Sequence, residues 1–123
     1  MNTQAFEAGK KAYQQGDWFT AATYLSDAKG AGEVAGSIDH MIGNAYMKLG
    51  QYESAAAAYG SALQDASYGK VGALSCNMGR ALLAANRPKD AIAALMRATQ
   101  DPEYATPYKA YLALGNADRK SVV

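Results

Sequence analysis

The sequence predicts an all-α protein, an α-solenoid of antiparallel helix pairs with about seven helices. Three observations carry that prediction. Glycines recur at Gly9, Gly43, Gly79 and Gly115, at separations of 34, 36 and 36 residues, and a period in this range marks stacked helical units. Seven positions after each of the first three stands a turn residue, Gly16, Gly50 or Asn86. Gly and Asn are the residues that tolerate a left-handed backbone where a helix ends. Beyond each turn come paired small residues, Ala21/Ala28, Ala55/Ala62 and Ala91/Ala98. Bulkier residues lie between them at spacings of three or four, which puts them on one helix face.

The elements follow in order. The first helix is expected over about Thr3 to Gln15, capped by Asn2 or Thr3, with Glu7 in an early turn where the helix dipole favours a carboxylate. Gly16-Asp17 makes the turn, and the second helix runs from about Trp18 to Lys29, ended by Gly30-Ala31-Gly32. The third covers about Glu33 to Leu49 and the fourth about Tyr52 to Ala66. The stretch from Gly43 to Ala62 is the clearest of these pairs. There Gly43 and Ala55 are expected to let two helix backbones approach, with Tyr46, Tyr52 and Tyr59 filling the core around them, as Trp18 does one unit earlier. The link Ser67-Tyr68-Gly69-Lys70 holds the two extra residues of the longer spacing. The fifth helix spans about Val71 to Ala85. The sixth runs from Pro88, tolerated in a first turn because its missing N–H costs little there, to about Thr99, where Asp101-Pro102 breaks it. The seventh spans about Thr106 to Ala117. It reads either as a cap, from its polar Asp118-Arg119-Lys120 end, or as half of a further unit, from Tyr111, Leu114 and Gly115. Solenoids need such a terminal cover.

Composition narrows the function. A chain of 123 residues is one unit by the usual length prior, repeats falling at about 2–35, 36–71 and 72–107, and it can bury roughly two-thirds of its unfolded surface. A net charge of +1 gives no overall drive toward nucleic acid or membrane. One cysteine excludes an internal disulfide and fits a reducing compartment. MNTQAFEAGK lacks the basic-then-apolar layout of a signal peptide, and no apolar run approaches the ~18 residues of a membrane helix, so a cytoplasmic protein is expected. One histidine and one cysteine supply no nucleophile–base–orienter set and no four-ligand zinc site, although His40 and Cys76 occupy equivalent positions and could approach each other. No strand precedes a glycine-rich phosphate loop. The expectation is a protein without enzymatic activity, metal or cofactor.

The helix glycines, the turn glycines, the aromatics after the turn (Trp18, Tyr52) and the alanine pairs together resemble the tetratricopeptide repeat family, over nearly the whole chain. The sequence departs from the family pattern four residues before each helix glycine. A bulky aromatic belongs there, and Ala5, Asp39 and Ser75 stand instead; Tyr111 alone conforms. The resemblance implies a right-handed superhelix whose odd-numbered helices line a concave face that takes a peptide of a partner protein. By offset from the helix glycines, the groove residues are Phe6, Lys10, Tyr13, His40, Met41, Asn44, Met47, Lys48, Asn77, Arg80 and Leu83. Phe6, Tyr13, Met41, Met47 and Leu83 offer apolar and adaptable surface. Asn44 and Asn77 offer paired donors and acceptors for a peptide backbone. Lys10, Lys48 and Arg80 outweigh Glu7 and favour some negative charge on the guest. Family members that clamp the carboxylate tail of heat-shock chaperones use a Lys and an Asn on the first odd-numbered helix, an Asn on the second, and a Lys and an Arg on the third, and the matching positions here are, in that order, Phe6, Lys10, Met41, Ala73 and Asn77. None carries the required type, so that role is not expected.

The expected function is therefore a protein-interaction scaffold for an unidentified protein or peptide. An accessory module of a larger enzyme or sensor is the alternative. An RNA-binding helical repeat is a lesser one, since only Lys10, Lys48, Arg80 and Tyr13 fit a basic, stacking stripe. Self-association through terminal helices is a further expectation, with Ala5, Ala8 and Ala12 on an uncovered side of the first helix.

Overall fold

The computed structural model describes residues 1–30 and 32–122. Ala31, the middle of the expected helix-ending triplet, lies outside the described residues. Among the described residues the chain is all-helical, with seven helices and no strand. The helices are α1 (Thr3–Gln14), α2 (Trp18–Ala28), α3 (Gly36–Lys48), α4 (Tyr52–Leu63), α5 (Val71–Ala84), α6 (Pro88–Thr99) and α7 (Pro107–Ser121). Each packs on the next in sequence, and α5 also touches α7. None of the described helices is long and apolar enough to cross a membrane.

Three tight turns fold the first six helices into hairpins. Gly16 (φ 76°), Gly50 (φ 74°) and Asn86 (φ 63°) all take the left-handed backbone. The amide after each closes onto the carbonyl five residues back: Asp17 N–H to Ala12 O at 2.9 Å, Gln51 N–H to Tyr46 O at 2.9 Å, Arg87 N–H to Leu82 O at 2.8 Å. This is the Schellman arrangement, which satisfies carbonyls a helix end otherwise leaves orphaned. Asn2 caps α1 by accepting from the Ala5 amide at 3.1 Å, and Asp17 caps α2 by accepting from Thr20 at 3.3 Å. Pro88 and Pro107 both sit in a first turn. Glu7 lies one turn too deep to meet the α1 N-terminus, whose first turn holds no acidic residue.

The helix glycines are seats for side chains. A Cβ on Gly9 would lie 2.8 Å from Leu25, on Gly43 2.6 Å from the Tyr59 ring, and on Gly79 2.5 Å from Leu95. Each bulky partner comes sixteen residues after its glycine and is fully buried, and all six paired alanines that flank these partners are buried completely. The close approach at Gly43 is therefore ring to backbone. Of the aromatics expected in the core, Tyr59 is there at 2% exposure, whereas Tyr52 is 36% exposed and Trp18 and Tyr46 are half-buried. Tyr52 stands at the first position of α4.

The open ends of the second and third hairpins are closed by a device that the helix periodicity does not show. Asp65, just past α4, accepts from the Gly36 amide at the start of α3 at 2.8 Å. Asp101, just past α6, accepts from the Gly72 amide near the start of α5 at 2.8 Å. Three residues beyond each aspartate a tyrosine lies on the same glycine: a Cβ on Gly36 would collide with Tyr68, and one on Gly72 with Tyr104. A carboxylate at a helix N-terminus satisfies free amides and complements the dipole. The Asp65 carboxyl is held below its usual pKa by the Ser67 hydroxyl first and the Gly36 amide second. This clasp explains two departures from the expected boundaries. Helix α4 stops at Leu63 instead of Ala66 because Asp65 turns back, and α3 begins at Gly36 instead of Glu33 because the clasp fixes its first amide. The two extra residues of the longer spacing are Gly69 and Lys70, both with positive φ (72° and 54°). The first hairpin has Ala31 and Val34 at the clasp positions and closes instead through Asn2 N–H to Ala28 O at 2.9 Å. At the other end, α7 runs to Ser121, past the expected Ala117. Ala5 and Ala12 are buried, which corrects the expectation of an uncovered alanine face on α1; only Ala8 is exposed.

Candidate functional site

Among the predicted groove residues, Tyr13, Asn44, Met47, Lys48, Asn77 and Arg80 line one cavity of about 410 Å³, together with Trp18 and Tyr59. Arg80 and Leu83 also line a second cavity, between α5 and α7. Phe6 and Met41 are half-buried against the core at the α1 end. Lys10 lies over the Phe6 ring, 5.2 Å from its centroid.

The back of the first cavity is a hydrogen-bonded frame. Asn44 on α3 donates from Nδ2 to the Tyr13 hydroxyl on α1 at 3.0 Å and accepts at Oδ1 from the Tyr59 hydroxyl on α4 at 2.7 Å. One carboxamide thus ties three helices. Burial, then the neighbouring Tyr13, pushes the Tyr59 phenol up to about 12, with Arg80 opposing. Tyr59 stays neutral and remains a donor at ordinary pH. Trp18 stands beside the frame, edge-on to Tyr13 at 5.2 Å, with the Lys48 ammonium 5.9 Å above its ring. Arg80 is exposed and Asn77 half-buried. Neither makes a side-chain hydrogen bond or ion pair among the described residues, so their donors face open space. Asn44 is different: two of its bonds are already spent on holding the wall.

His40 and Cys76 go elsewhere. His40 Nδ1 meets the Tyr68 hydroxyl at 2.8 Å, and its pKa is lowered by burial first and the Lys70 charge second. At the equivalent place one hairpin on, Cys76 is buried beside Tyr104, whose phenol is pushed up by its own burial and then by Cys76. Each of the two residues is taken up by the clasp tyrosine of its own hairpin. No group of three or more His, Cys, Asp or Glu side chains that could hold a metal ion occurs among the described residues.

Sequence reasoning missed Trp18 as a wall and Lys109, Arg119 and Lys120 as lining of the second cavity. Trp18 was hidden by its position, one residue after a turn, where an aromatic usually plugs a core. No protein-family model matches the chain, and no curated protein matches it.

Proposed function

We propose that this chain is a scaffold of the tetratricopeptide kind, its three hairpins and α7 forming a right-handed solenoid, with no catalytic role of its own. On this reading the face made by α1, α3 and α5 holds an extended peptide of a partner protein. The observation that supports it best is the composition of the 410 Å³ cavity. It has aromatic and thioether walls, a rigid Tyr13–Asn44–Tyr59 back, a free Asn77 amide, two cations and no carboxylate. Its size falls at the small end of the roughly 300–1,000 Å³ of ligand clefts, suited to one or two side chains of a longer guest. An amide such as Asn77 can serve both the donor and the acceptor of one peptide unit. Met47 adapts to varied apolar shapes.

The test is affinity capture of partners from cell extract by the wild type and by a Lys48→Ala/Asn77→Ala variant. Neither side chain makes a hydrogen bond or ion pair among the described residues, so the helical CD spectrum should stay unchanged. Capture should fall for the variant; equal capture at equal helicity refutes the reading.

A further inference from the structure

Past Arg80 the same face continues onto α7, where the chemistry changes. The cavity between α5 and α7 measures about 720 Å³ and is lined by Arg80, Lys109, Arg119 and Lys120, with Leu83 and Leu112 among its apolar walls. No acidic residue lines it, although the chain carries 11 Asp and Glu against 12 Lys and Arg. A third of the cations therefore faces one cavity with no balancing carboxylate.

Of the eight other Lys and Arg side chains, two are in ion pairs among the described residues. Lys29 is bound to Asp39, and Arg87 to Glu53 and Asp90. Among the described residues none of the four cavity cations is in an ion pair. Like charges around one cleft repel in the empty state, and apolar walls focus their field into it. Arg119 donates to Asn116 Oδ1, which spends one of its five N–H groups and orients the rest of the fork.

We propose that this cavity receives a multiply charged anionic group carried by the guest peptide, either clustered carboxylates or a phosphoryl group. The proposal rests on the peptide reading above and gives it a polarity. Apolar and backbone recognition belongs to the α1–α5 end and anion recognition to the α5–α7 end. Arg80 lines both cavities and stands at the joint, so the apolar and acidic stretches of the guest are neighbours in its sequence. A single small ion leaves most of 720 Å³ unfilled, whereas a side chain bearing a phosphoryl group, or two adjacent carboxylates, brings both charge and bulk.

The test uses isotope-labelled full-length protein and NMR titration with hexaglutamate, with a phosphoserine peptide, and with hexaglutamine as the uncharged control. Shifts should be confined to the amides around Arg80, Lys109 and residues 112–120, and should weaken with salt as expected for exposed charges. Arg119→Glu/Lys120→Glu reverses two exposed charges and should weaken the better anion roughly tenfold or more. Lys11→Glu/Arg97→Glu makes the same change in net charge away from the cavity and should leave affinity within about twofold. The phosphoserine and glutamate arms tell which anion is preferred. Equal loss in both double variants, shifts scattered over the surface, or tighter binding of hexauridylate than of either peptide overturns the proposal. Hexaglutamate has no apolar part, so its binding is read from Arg119→Glu/Lys120→Glu, and the groove reading from capture by Lys48→Ala/Asn77→Ala. Loss of capture by Lys48→Ala/Asn77→Ala with no anion binding would refute the anion site alone; anion binding with unchanged capture would refute the groove alone.

Discussion

The junction between the first and second hairpins and the junction between the second and third are built at the same register with opposite chemistry. Four residues before Gly43 stands Asp39, 3% exposed; four before Gly79 stands Ser75, 0% exposed. Facing them from the end of the preceding even-numbered helix, twenty residues after its glycine, are Lys29 and Leu63. Lys29 Nζ binds Asp39 at 2.8 and 3.1 Å. Leu63 offers nothing polar, and the Ser75 hydroxyl is buried without a hydrogen-bond partner. A small side chain at this position opens a gap between successive hairpins. Both junctions border a surface cavity; the wall of one carries an ion pair, that of the other a hydroxyl without a partner. What decides between them is whether the preceding helix ends in a cation, a choice made ten residues away in sequence.

The largest expected effect comes from breaking the ionic junction on one side. Asp39→Leu strands the Lys29 ammonium, whose side chain keeps only 21% exposure, and should cost about 2–4 kcal/mol in urea unfolding. The double change Lys29→Met/Asp39→Leu converts the first junction to the apolar kind. It should return to within about 1 kcal/mol of wild type, and a double variant no better than Asp39→Leu would show that the pair is not the issue.

The glycine seats give the next effect. Gly43→Ala drives a methyl into the Tyr59 ring, which its bond to Asn44 prevents from stepping aside, and should cost about 1–3 kcal/mol. Gly115 has the same register, yet a Cβ there would meet only the far end of Arg119 at 3.7 Å. Gly115→Ala should therefore stabilise by about 0.5–1 kcal/mol through helix propensity. Thermal melts of the two variants should move in opposite directions.

A third difference is titratable. The second hairpin carries His40 against Tyr68 where the third carries Cys76 against Tyr104. His40 has a folded pKa below its unfolded 6.5, so the unfolded state binds the proton more readily. Its stabilising share is complete above pH 6.5 and is lost as pH falls from there through the folded value. The wild type should lose stability between neutral and mildly acidic pH, and His40→Gln should flatten that part of the profile. An unchanged slope would mean His40 is solvated in practice.

The smallest effect is Ser75→Ala. Removing a buried hydroxyl that lacks a partner should be neutral or stabilising by up to about 1 kcal/mol. A clear loss of stability would reveal a bond to its own helix and weaken the contrast between the junctions.

Seven helices and their turns were legible in the sequence because both rest on local rules: small residues at fixed spacing, and Gly or Asn where φ is positive. The clasp was on view too, as Asp65 and Tyr68 repeated by Asp101 and Tyr104, but its contacts span 29 and 32 residues and obey no helical period. The buried Asp39 read as a departure from an aromatic pattern, since its partner Lys29 belongs to another hairpin. Six of the residues expected in a groove do line one cavity, because offsets along a helix fix its face. Offsets cannot say that Asn44 is already engaged by Tyr13 and Tyr59. Nor do they reach Lys109, which lies a turn before the ladder begins, or foretell that Arg119 and Lys120 converge on the same space as Arg80.

The clasp also limits how the chain can change length. Between Asp65 and Tyr68, and between Asp101 and Tyr104, the backbone is anchored at both ends to a single glycine, so an added residue must detach one anchor. Surface connections usually absorb insertions freely; these two segments should be the places where even one extra residue unfastens a whole hairpin.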